Sequence, residues 1–492
     1  MDTDDAFSPE LFRAQGHAVV DQLADYLAEA AQRASMPVLP ADPPDALVDH
    51  WPDRFPEQAV SDPVGALTAL LQDVLAKSNH LHHPHYAGHQ VTAPLPQAAV
   101  TEMFSGLLNN AMAVYEMGPA ATAMERSLLR WLGARCGFDR AHVDGVFTSG
   151  GSAGNLTAML AARQERAGFD AWNGGHAAGP PLAVLVAESA HYSVKRAVQI
   201  MGWGTAGMIP VPVDERFKMR PDALPAALDE AARRGSRVIA VAASACSTAL
   251  GAFDPLEPIA DFCHKHGLWL HVDGAHGAAA ALTGKYRHLL AGIEHADSVV
   301  WDAHKMMLMP ALATAVIFRH GSSSALAFAQ QASYLFTGAA PESEWFNVGQ
   351  RTLECTKRQM SLHLYAALTI HGTRFFSDYV TQMFDLGRRF GEVIAADPDF
   401  ELPVPPECNI VCFRCRPRTT RAGMPLDPAQ LDALNARIRR QILLGGKFYI
   451  VQTKLPAGLY LRVTLINPLT TEGDLLELIS IVRTLGSEFL GG

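Results

Sequence analysis

Short, continuously apolar runs alternate with amphipathic stretches through the middle of the chain, from about residue 101 to residue 371. The runs are rich in Val, Ile, Leu and Ala, and the segments between them carry apolar residues at helical spacing. They lie at 145–148, 182–187, 238–242, 268–272, 298–301 and 313–318. Because strands that are buried on both faces have continuous apolar sequences, this pattern predicts an α/β domain. Its sheet should be mostly parallel, with helices on both faces.

The two flanks of this region show different patterns. Residues 12–34 and 64–75 carry apolar residues at helical spacing. Such helices bury their apolar stripes poorly alone, so residues 1–85 are predicted to form a helical segment that packs on a partner subunit or on the main domain. Residues 371–492 mix long amphipathic helices with strand-like runs, which predicts a small α+β domain. The large domain would then cover 86–370.

Composition and charge narrow the class of protein. The chain has 492 residues, of which 49% are hydrophobic and 18% are charged, as in an ordinary globular protein with a large core. The net charge of −10 is spread without a basic block, so no nucleic-acid or membrane partner is expected. The longest apolar run, 306–318, is too short to cross a bilayer. Seven cysteines and an acidic N-terminus without an export signal predict a cytoplasmic protein with free thiols.

A glycine-rich turn follows the first apolar run. It contains Gly150, Gly151 and Ser152 and leads into a helix, where backbone N–H groups and hydroxyls can close around a phosphate. The glycine spacing does not give the dinucleotide fingerprint, and no acidic residue follows at the distance that a ribose requires. This argues against a nicotinamide dehydrogenase. Such a turn also occurs where a helix packs tightly on a strand, so phosphate binding is one of two readings.

Three more polar side chains follow other apolar runs, at the edge of the sheet where ligands bind. They are His191, Asp273 and Lys305. Read singly, they could be a capping histidine, a capping aspartate and a surface lysine. The apolar residues at 306–309 favour burial of Lys305, which would lower the pKa of its amine and make it nucleophilic. A phosphate cradle, a histidine facing a ring, a carboxylate for a ring nitrogen and an amine for an aldehyde together predict pyridoxal 5'-phosphate as the cofactor.

Four motifs carry a resemblance to a known family. They are 148–155 (TSGGSAGN), 191–197 (HYSVKRA), 271–276 (HVDGAH) and 296–305 (ADSVVWDAHK). Together they resemble the group II pyridoxal-phosphate-dependent amino-acid decarboxylases, which include the aromatic-amino-acid, histidine and glutamate decarboxylases. Diaminobutyrate decarboxylases are of the same type. The similarity covers nearly the whole chain.

The resemblance implies a fold and an assembly. The fold would be the type I, aspartate-aminotransferase-like fold of pyridoxal-phosphate enzymes, with a mostly parallel seven-stranded sheet and a small α+β C-terminal domain. The protein would be a homodimer with its active site at the subunit interface. The cofactor would be held by Gly150, Gly151, Ser152, His191, Thr248, Asp273, Ala275, Ser298, Asp302, His304 and Lys305.

The resemblance also implies individual roles. His191 would stack on the pyridine ring, and Asp273 would pair with the ring nitrogen. Ser298 and Asp302 would lie near the phosphate. The family motif T-A-G-T-T, which places a hydroxyl near the cofactor, is altered here to S-A-C-S-T at 244–248. The catalytic set would be Lys305, Tyr334, His191, His304 and Asp273.

Tyr334 corresponds to the family's loop tyrosine, which protonates the carbanion after CO2 has left. A tyrosine at this position favours decarboxylation over aldehyde formation. The implied substrate-binding residues are His85, Tyr86, His89 and Arg462, with Arg462 matching the arginine that binds the α-carboxylate in the glutamate-type enzymes.

Two clusters raise the question of a metal site. Five histidines lie within 79–89, and Cys408, Cys412 and Cys415 are close in sequence. Pro84 interrupts any helix that could align the histidines, and neither cluster has a second set of ligands at a suitable spacing. No metal is therefore expected. Residues 79–89 are predicted to line a substrate pocket, with a structural loop as the alternative.

The sequence thus predicts an enzyme that uses pyridoxal phosphate to convert an L-amino acid into its amine and CO2. The N-terminal helix favours an aromatic substrate, whereas Arg462 and the run at 409–414 favour the glutamate and diaminobutyrate branch. On balance the sequence favours an aromatic substrate, with an acidic or diamino acid as the alternative. Aldehyde synthesis and transamination remain open. Intact Lys305, Asp273, His191 and Tyr334 argue against a non-catalytic homologue.

Overall fold

The computed structural model describes residues 3–33, 36–51, 53–328, 344–417 and 426–491. The chain divides into two compact units. Unit 1 comprises 1–89, 389–403 and 412–492, and unit 2 comprises 90–388 and 404–411. The N-terminal helices thus belong to the same unit as most of the C-terminal region.

The described helices and strands follow one another along the chain in the following order. The helices are α1 (Thr3–Ala6), α2 (Pro9–Ala30), α3 (Pro44–His50), α4 (Pro63–Lys77), α5 (Pro96–Leu108), α6 (Pro119–Arg135), α7 (Gly151–Arg166), α8 (Tyr192–Ile200), α9 (Leu224–Arg233), α10 (Leu256–His266), α11 (Leu362–Ala396), α12 (Pro428–Leu444) and α13 (Glu472–Gly491). The strands are β1 (Asp144–Thr148), β2 (Leu182–Ala187), β3 (Met208–Val211), β4 (Arg237–Ser244), β5 (Trp269–Asp273), β6 (Ser298–Asp302), β7 (Thr314–Phe318), β8 (Phe400–Glu401), β9 (Ile410–Cys415), β10 (Val451–Leu455) and β11 (Gly458–Thr464). Short 3-10 turns connect several of them.

Local sequence explains where many of the helices begin. Proline lies in the first turn of α2, α3, α4, α5, α6, α9 and α12, where its missing N–H costs no hydrogen bond. Ser8, Asp62 and Asp427 cap α2, α4 and α12 with side-chain oxygens. In α11 the backbone leaves helical geometry at Gly372, which has a φ of 72°.

Unit 2 is built on a seven-stranded sheet with the strand order β1-β7-β6-β5-β4-β2-β3. Only β7 runs against its neighbours, β1 and β6. Every residue of β1, β2, β5, β6 and β7 is buried, as the continuous apolar runs predicted. All six predicted runs are strands, which confirms the mostly parallel sheet. The missed strand, β3, is short and contains Pro210.

Helix α7 lies on one face of this sheet and contacts β1, β4, β5, β6 and β7. It begins at Gly151, directly after the carboxyl end of β1. Its buried positions are mostly small or apolar, but Asn155 is also buried, with only 1% of its surface exposed. A single amide is therefore inserted between the helix and the sheet.

The second sheet has the strand order β10-β11-β9-β8 and belongs to unit 1 apart from residues 410–411 of β9. Pairing is antiparallel between β10 and β11 and between β8 and β9. Helix α12 packs on β11 and on α13, and α2 packs on α4. In the described part of the chain, no helix is both long and apolar enough to cross a membrane.

The cysteines and histidines form no metal centre in the described residues. All seven cysteines are free thiols. No group of three or more His, Cys, Asp or Glu side chains is arranged to hold a metal ion in the ranges that the structure describes.

Gly145 provides a test of the sheet, because an alanine Cβ there would lie 2.0 Å from the carbonyl oxygen of Val316 in β7. The β7 backbone cannot retreat without losing its pairing with β6. We therefore expect Gly145→Ala to lower the free energy of unfolding by about 1–3 kcal/mol. The measurement is the melting temperature of the purified protein. Gly284→Ala, at an exposed position with open space, is the matched control, and equal melting temperatures would contradict the packing described here.

Candidate active site

A cavity of about 260 Å³ lies in unit 2 at the carboxyl ends of the parallel strands. The segments that follow β1, β2, β4, β5 and β6 all line it. Ten of the predicted cofactor residues are brought together there, namely Gly150, Gly151, Ser152, His191, Thr248, Asp273, Ala275, Asp302, His304 and Lys305. Residues spread over more than 150 positions of sequence thus meet because parallel strands end at one edge of a sheet.

Lys305 and Asp302 form an ion pair at the end of β6. The amine Nζ lies 2.8 Å from Asp302 Oδ2, and the carboxylate is 1% exposed while the lysine side chain is 18% exposed. The hydroxyl of Thr314 donates a second hydrogen bond to Asp302, and His304 Nε2 lies 3.6 Å from it. Burial raises the pKa of Asp302, but the attraction of Lys305 and His304 more than offsets this and holds it below its usual value.

The same pair corrects the expectation that Lys305 has a lowered pKa. Burial does lower the pKa of the amine, as the apolar neighbours at 306–309 predicted. The charge of Asp302 and the hydrogen bond to it, with Asp273 beyond, outweigh burial and raise the pKa of Lys305 above its usual value. Without the cofactor, Lys305 is therefore an ammonium ion held by a carboxylate.

The turn before α7 has the shape of a phosphate cradle. Gly150 has a φ of 110°, a conformation that side-chain-bearing residues avoid. A Cβ on Gly151 would lie 3.2 Å from Asp302 Oδ2 and 3.6 Å from the Cβ of Ala275, so glycine keeps this part of the cavity open. The first N–H groups of α7 carry no side-chain cap from residue 150, as an anion site at a helix N-terminus requires.

Asp273 and His191 both line the cavity, Asp273 at the end of β5 and His191 at the start of α8. Asp273 is 8% exposed and accepts hydrogen bonds from Asn155 Nδ2 at 2.9 Å and from the backbone N–H of Ala275 at 3.3 Å. His191 caps α8, and its Nδ1 accepts the N–H of Ser193. Burial lowers the pKa of His191, although Asp273 opposes this, so the imidazole is neutral. An amine, a buried carboxylate, a neutral ring and an anion cradle in one cavity fit pyridoxal phosphate.

Ser298 is the predicted cofactor residue that does not line the cavity. It begins β6, at the end of the strand away from Lys305, and none of its surface is exposed. Its Oγ bonds to Trp269 Nε1 and to His271 Nδ1, each at 2.8 Å. A strand of five residues separates the two ends too far for one side chain to reach both. Ser298 therefore has no direct contact with the phosphate cradle.

The predicted substrate-binding residues all fall in unit 1. His85 is 2% exposed and stacks on Phe448 with 4.0 Å between ring centroids. Its Nδ1 lies 3.0 Å from the carbonyl of Lys447 and its Nε2 lies 3.0 Å from Asp474. Both ring nitrogens are thus engaged inside unit 1, which leaves neither for a substrate.

Tyr86, His89 and Arg462 lie together around Tyr449. Tyr86 stacks on Tyr449 at 5.2 Å, and the His89 ring lies 6.0 Å from it. Burial lowers the pKa of His89, and the positive charges of Arg462 and Arg439 lower it further. The group is therefore cationic through its arginines. Tyr334, the predicted proton donor, lies outside the described residues.

The cavity also contains residues that sequence reasoning did not select, including Asn155, Ser193, Cys246 and His276. Asn155 had a signal, because it follows Gly151 by one helical turn in a helix whose buried face is mostly small or apolar. Cys246 is one of three positions, with 244 and 247, at which the S-A-C-S-T motif departs from the family, and its Sγ lies 3.9 Å from that of Cys408. Ser193 and His276 had no signal of their own.

Comparison with known proteins gives consistent matches over most of the chain. The family model of the pyridoxal-dependent decarboxylase conserved domain matches residues 44–416. The cysteine sulfinic acid decarboxylase of Rattus norvegicus is 32% identical over 414 residues, which are 82% of this chain and 83% of the relative. An L-aspartate decarboxylase of Metarhizium robertsii is 29% identical, covering 91% of this chain and 88% of the relative. The aromatic-L-amino-acid decarboxylase of Bacillus atrophaeus is 26% identical, covering 98% and 96%.

Solved structures match the whole fold. Mouse CSAD superposes with a TM-score of 0.90 at 29% identity, covering 98% of this chain and 100% of that chain. Oryza sativa TDC, solved with PLP and tryptamine, has a TM-score of 0.89 at 23% identity and covers 98% and 99%. The second likeness concerns the fold alone.

The ion pair predicts how the cofactor-free protein takes up pyridoxal phosphate. Lys305 reacts with an aldehyde only as the free amine, so its raised pKa keeps most of it unreactive at neutral pH. We expect the uptake rate to rise with pH until the pKa of Lys305 is passed. Asp302→Asn removes the attraction and leaves the burial, so the pKa falls and the rise moves to lower pH.

Stopped-flow absorbance of the cofactor band, recorded across pH, measures this rate. Asp261→Asn, which neutralises an exposed carboxylate of α10 outside the cavity lining, is the control and should leave the profile unchanged. Superimposable profiles for Asp302→Asn and the unaltered protein would show that Asp302 does not govern the amine.

Proposed function

Because the chain belongs to the pyridoxal-dependent decarboxylase family, we propose that it releases CO2 from an acidic L-amino acid such as cysteine sulfinate, aspartate or glutamate. Membership establishes that the protein is a pyridoxal-phosphate-dependent carboxy-lyase acting on an amino acid. The predicted type I, aspartate-aminotransferase-like fold is confirmed by the superposition on mouse CSAD. The proposal concerns the substrate and the residues that recognise it.

The observation that carries the proposal is the order of similarity among the relatives. The chain is 32% identical to a cysteine sulfinic acid decarboxylase and 29% identical to an L-aspartate decarboxylase. Its identity to an aromatic-L-amino-acid decarboxylase is 26%. This order gives no support to the aromatic preference drawn from the N-terminal helix.

Electrostatics supports an acidic substrate. Arg439, Arg462 and His89 form the cationic group around Tyr449 in unit 1. Guanidinium groups bind carboxylates and sulfinates with charge-assisted hydrogen bonds, whereas they offer little to an indole or phenol. We propose that Arg462 and His89 contribute to binding of the anionic substrate, with Tyr86 packing beside them.

The residues of unit 2 divide the chemical work among themselves. When bound, the cofactor supplies a conjugated ring that accepts the electron pair left on Cα as CO2 departs. Lys305 would hold the cofactor aldehyde through its amine, and Asp302 would hold this amine in place. Asp273 would be the carboxylate for the ring N–H, and neutral His191 would cover the ring without adding a charge. Tyr334 remains the predicted donor of the proton to Cα.

The substrate is tested by measuring CO2 and amine formation for cysteine sulfinate, aspartate, glutamate, tryptophan, dihydroxyphenylalanine and 2,4-diaminobutyrate. We expect the largest kcat/KM among the three acidic substrates to exceed that of each aromatic or diamino substrate by about tenfold or more. Lys305→Ala is the control and should give no product. A larger kcat/KM for an aromatic substrate would overturn the acidic assignment, and a keto acid or aldehyde in place of the amine would indicate transamination or aldehyde synthesis.

A homodimer is the second part of the proposal. Helix α5 exposes a complete apolar stripe at positions 100, 103, 104, 107 and 108, each 44–67% exposed in the single chain. This spacing places all five side chains on one face of the helix. Contiguous apolar surface of this kind is rarely left in water, so a second copy of the chain is its proposed partner.

We expect Leu107→Asp to convert the protein from two chains to one, because a buried carboxylate in an apolar interface has no partner. Size-exclusion chromatography with light scattering measures the mass. Ile200→Asp, at a residue that is 63% exposed on α8 and lies outside the stripe, is the matched control. A dimer that persists in Leu107→Asp would exclude α5 as the contact, and a monomeric unaltered protein would exclude the dimer.

A further inference from the structure

A chain of buried side-chain hydrogen bonds runs beneath the cofactor cavity, and family resemblance assigned most of its members no role. Trp269, His271 and Asp273 are alternate residues of β5, so their side chains lie on the same face of the sheet. Ser298 lies opposite His271 on the neighbouring strand β6. Asn155 reaches the same face from α7. All five side chains are at most 8% exposed.

The contacts are short and continuous. Trp269 Nε1 lies 2.8 Å from Ser298 Oγ, which lies 2.8 Å from His271 Nδ1. His271 Nε2 lies 2.9 Å from Asn155 Oδ1. Asn155 Nδ2 then lies 2.9 Å from Asp273 Oδ2 and 2.8 Å from Ser193 Oγ. The last link is Ser193 Oγ to His191 Nδ1 at 2.7 Å.

The acceptor-only carboxylate of Asp273 fixes the direction of the bonds in this chain. Asp273 can only accept, so the Asn155 NH2 group faces it, and Asn155 Oδ1 accepts from His271 Nε2–H. In a neutral imidazole Nδ1 is then the acceptor, so Ser298 Oγ donates its proton to His271 Nδ1 and accepts the N–H of Trp269. Burial lowers the pKa of His271 to about 4, which keeps the ring neutral at physiological pH.

The Asn155 amide uses all of its polar atoms in this orientation. With its oxygen accepting from His271, the NH2 group points to Asp273 and Ser193 and uses both of its hydrogens. His191 Nδ1 accepts the backbone N–H of Ser193, which leaves the hydrogen of the neutral His191 ring on Nε2, and Ser193 Oγ donates to the same Nδ1. The chain therefore orients the Asp273 carboxylate, whereas the Ser193 backbone sets the tautomer of His191.

We propose that Asn155 and His271 are positioning residues, which hold Asp273 as an oriented carboxylate for the cofactor ring nitrogen through a hydrogen-bond chain that ends at Ser298 and Trp269. This assigns Ser298 a place in the chain instead of the phosphate contact that resemblance implied. The proposal rests on the cofactor assignment and is independent of the substrate class.

Loss of the His271 donor has a defined consequence. Asn155 Oδ1 would then be a buried acceptor without its hydrogen bond, a state that costs more than the net value of the bond itself. Rotation of the amide would relieve this only by turning the oxygen toward the Asp273 carboxylate, where two acceptors repel. Either result loosens Asp273, so the effect should appear in cofactor binding before any substrate is present.

The primary test compares His271→Leu with His271→Gln. Leucine removes both ring nitrogens, whereas the glutamine amide can again donate to Asn155 Oδ1. We expect the dissociation constant for pyridoxal phosphate to rise about tenfold or more in His271→Leu, with a shifted absorption maximum of the bound cofactor. In His271→Gln it should stay within about threefold of the unaltered protein, with the original maximum. Equal cofactor binding by the two variants would overturn the proposal.

A second pair of variants keeps the test decisive if His271→Leu fails to fold. Trp269 and Trp301 are both 1% exposed in neighbouring strands, but Trp301 Nε1 has no hydrogen-bond partner among the described residues. Trp269→Phe removes the N–H that Ser298 Oγ accepts at the end of the chain, and Trp301→Phe removes an N–H outside the chain. We expect weaker cofactor binding and a shifted absorption maximum only in Trp269→Phe; identical behaviour of the two phenylalanine variants would reject a role for the indole.

These outcomes are separate from those for the substrate. Cofactor affinity and the absorption maximum are measured without substrate, so they stand whichever amino acid releases CO2. A protein that decarboxylates an aromatic acid but loses cofactor affinity only in His271→Leu and Trp269→Phe would disprove the proposed substrate class and uphold the positioning role.

Discussion

The ion pair between Lys305 and Asp302 is the interaction on which the rest of the site depends. A buried ammonium group is costly unless a carboxylate pairs with it, and a buried carboxylate needs the same compensation. Thr314 and His304 add to the pair, so β6, β7 and the turn between them are fixed relative to one another. The pair also keeps the amine protonated until the cofactor arrives. The Lys305–Asp302 ion pair thus offsets the cost of burying the lysine and raises the pKa of its amine, which controls its reactivity.

The sheet supplies the second constraint, because its buried strands leave room for polar atoms only where every hydrogen bond is satisfied. Asp273 is acceptable at the end of β5 because Asn155 and a backbone N–H donate to it. Asn155 in turn needs an acceptor for its second hydrogen and a donor for its oxygen, which Ser193 and His271 provide. The carboxylate at the surface of the cavity is therefore supported by a polar chain that extends along the strand into the core.

The two units contribute different kinds of chemistry. Unit 2 holds the groups that suit a cofactor, with each charge paired or hydrogen-bonded. Unit 1 holds Arg439 and Arg462 beside His89 and Tyr449, while His85 contacts Asp474 in the first turn of α13. The stripe of α5 consists of large apolar side chains, as in a buried helix, but these side chains are exposed in the single chain. In our proposal, cofactor binding, substrate charge and assembly therefore depend on separate parts of one chain.

The sequence by itself determined the sheet and most of the cavity, because continuous apolar runs specify buried strands and the polar residues after them must meet at one edge. Gly151, Asp273 and Lys305 were predictable for that reason. Tertiary structure alone decided the pKa of Lys305, because Asp302 opposes the burial that the neighbouring sequence foretold. It also decided that Ser298 does not line the cavity, because Ser298 begins β6 whereas Asp302 and Lys305 lie at the carboxyl end of that strand. The hydrogen-bond chain through Asn155 and His271 joins residues of two helices and two strands, and only packing brings such groups within 3 Å of one another.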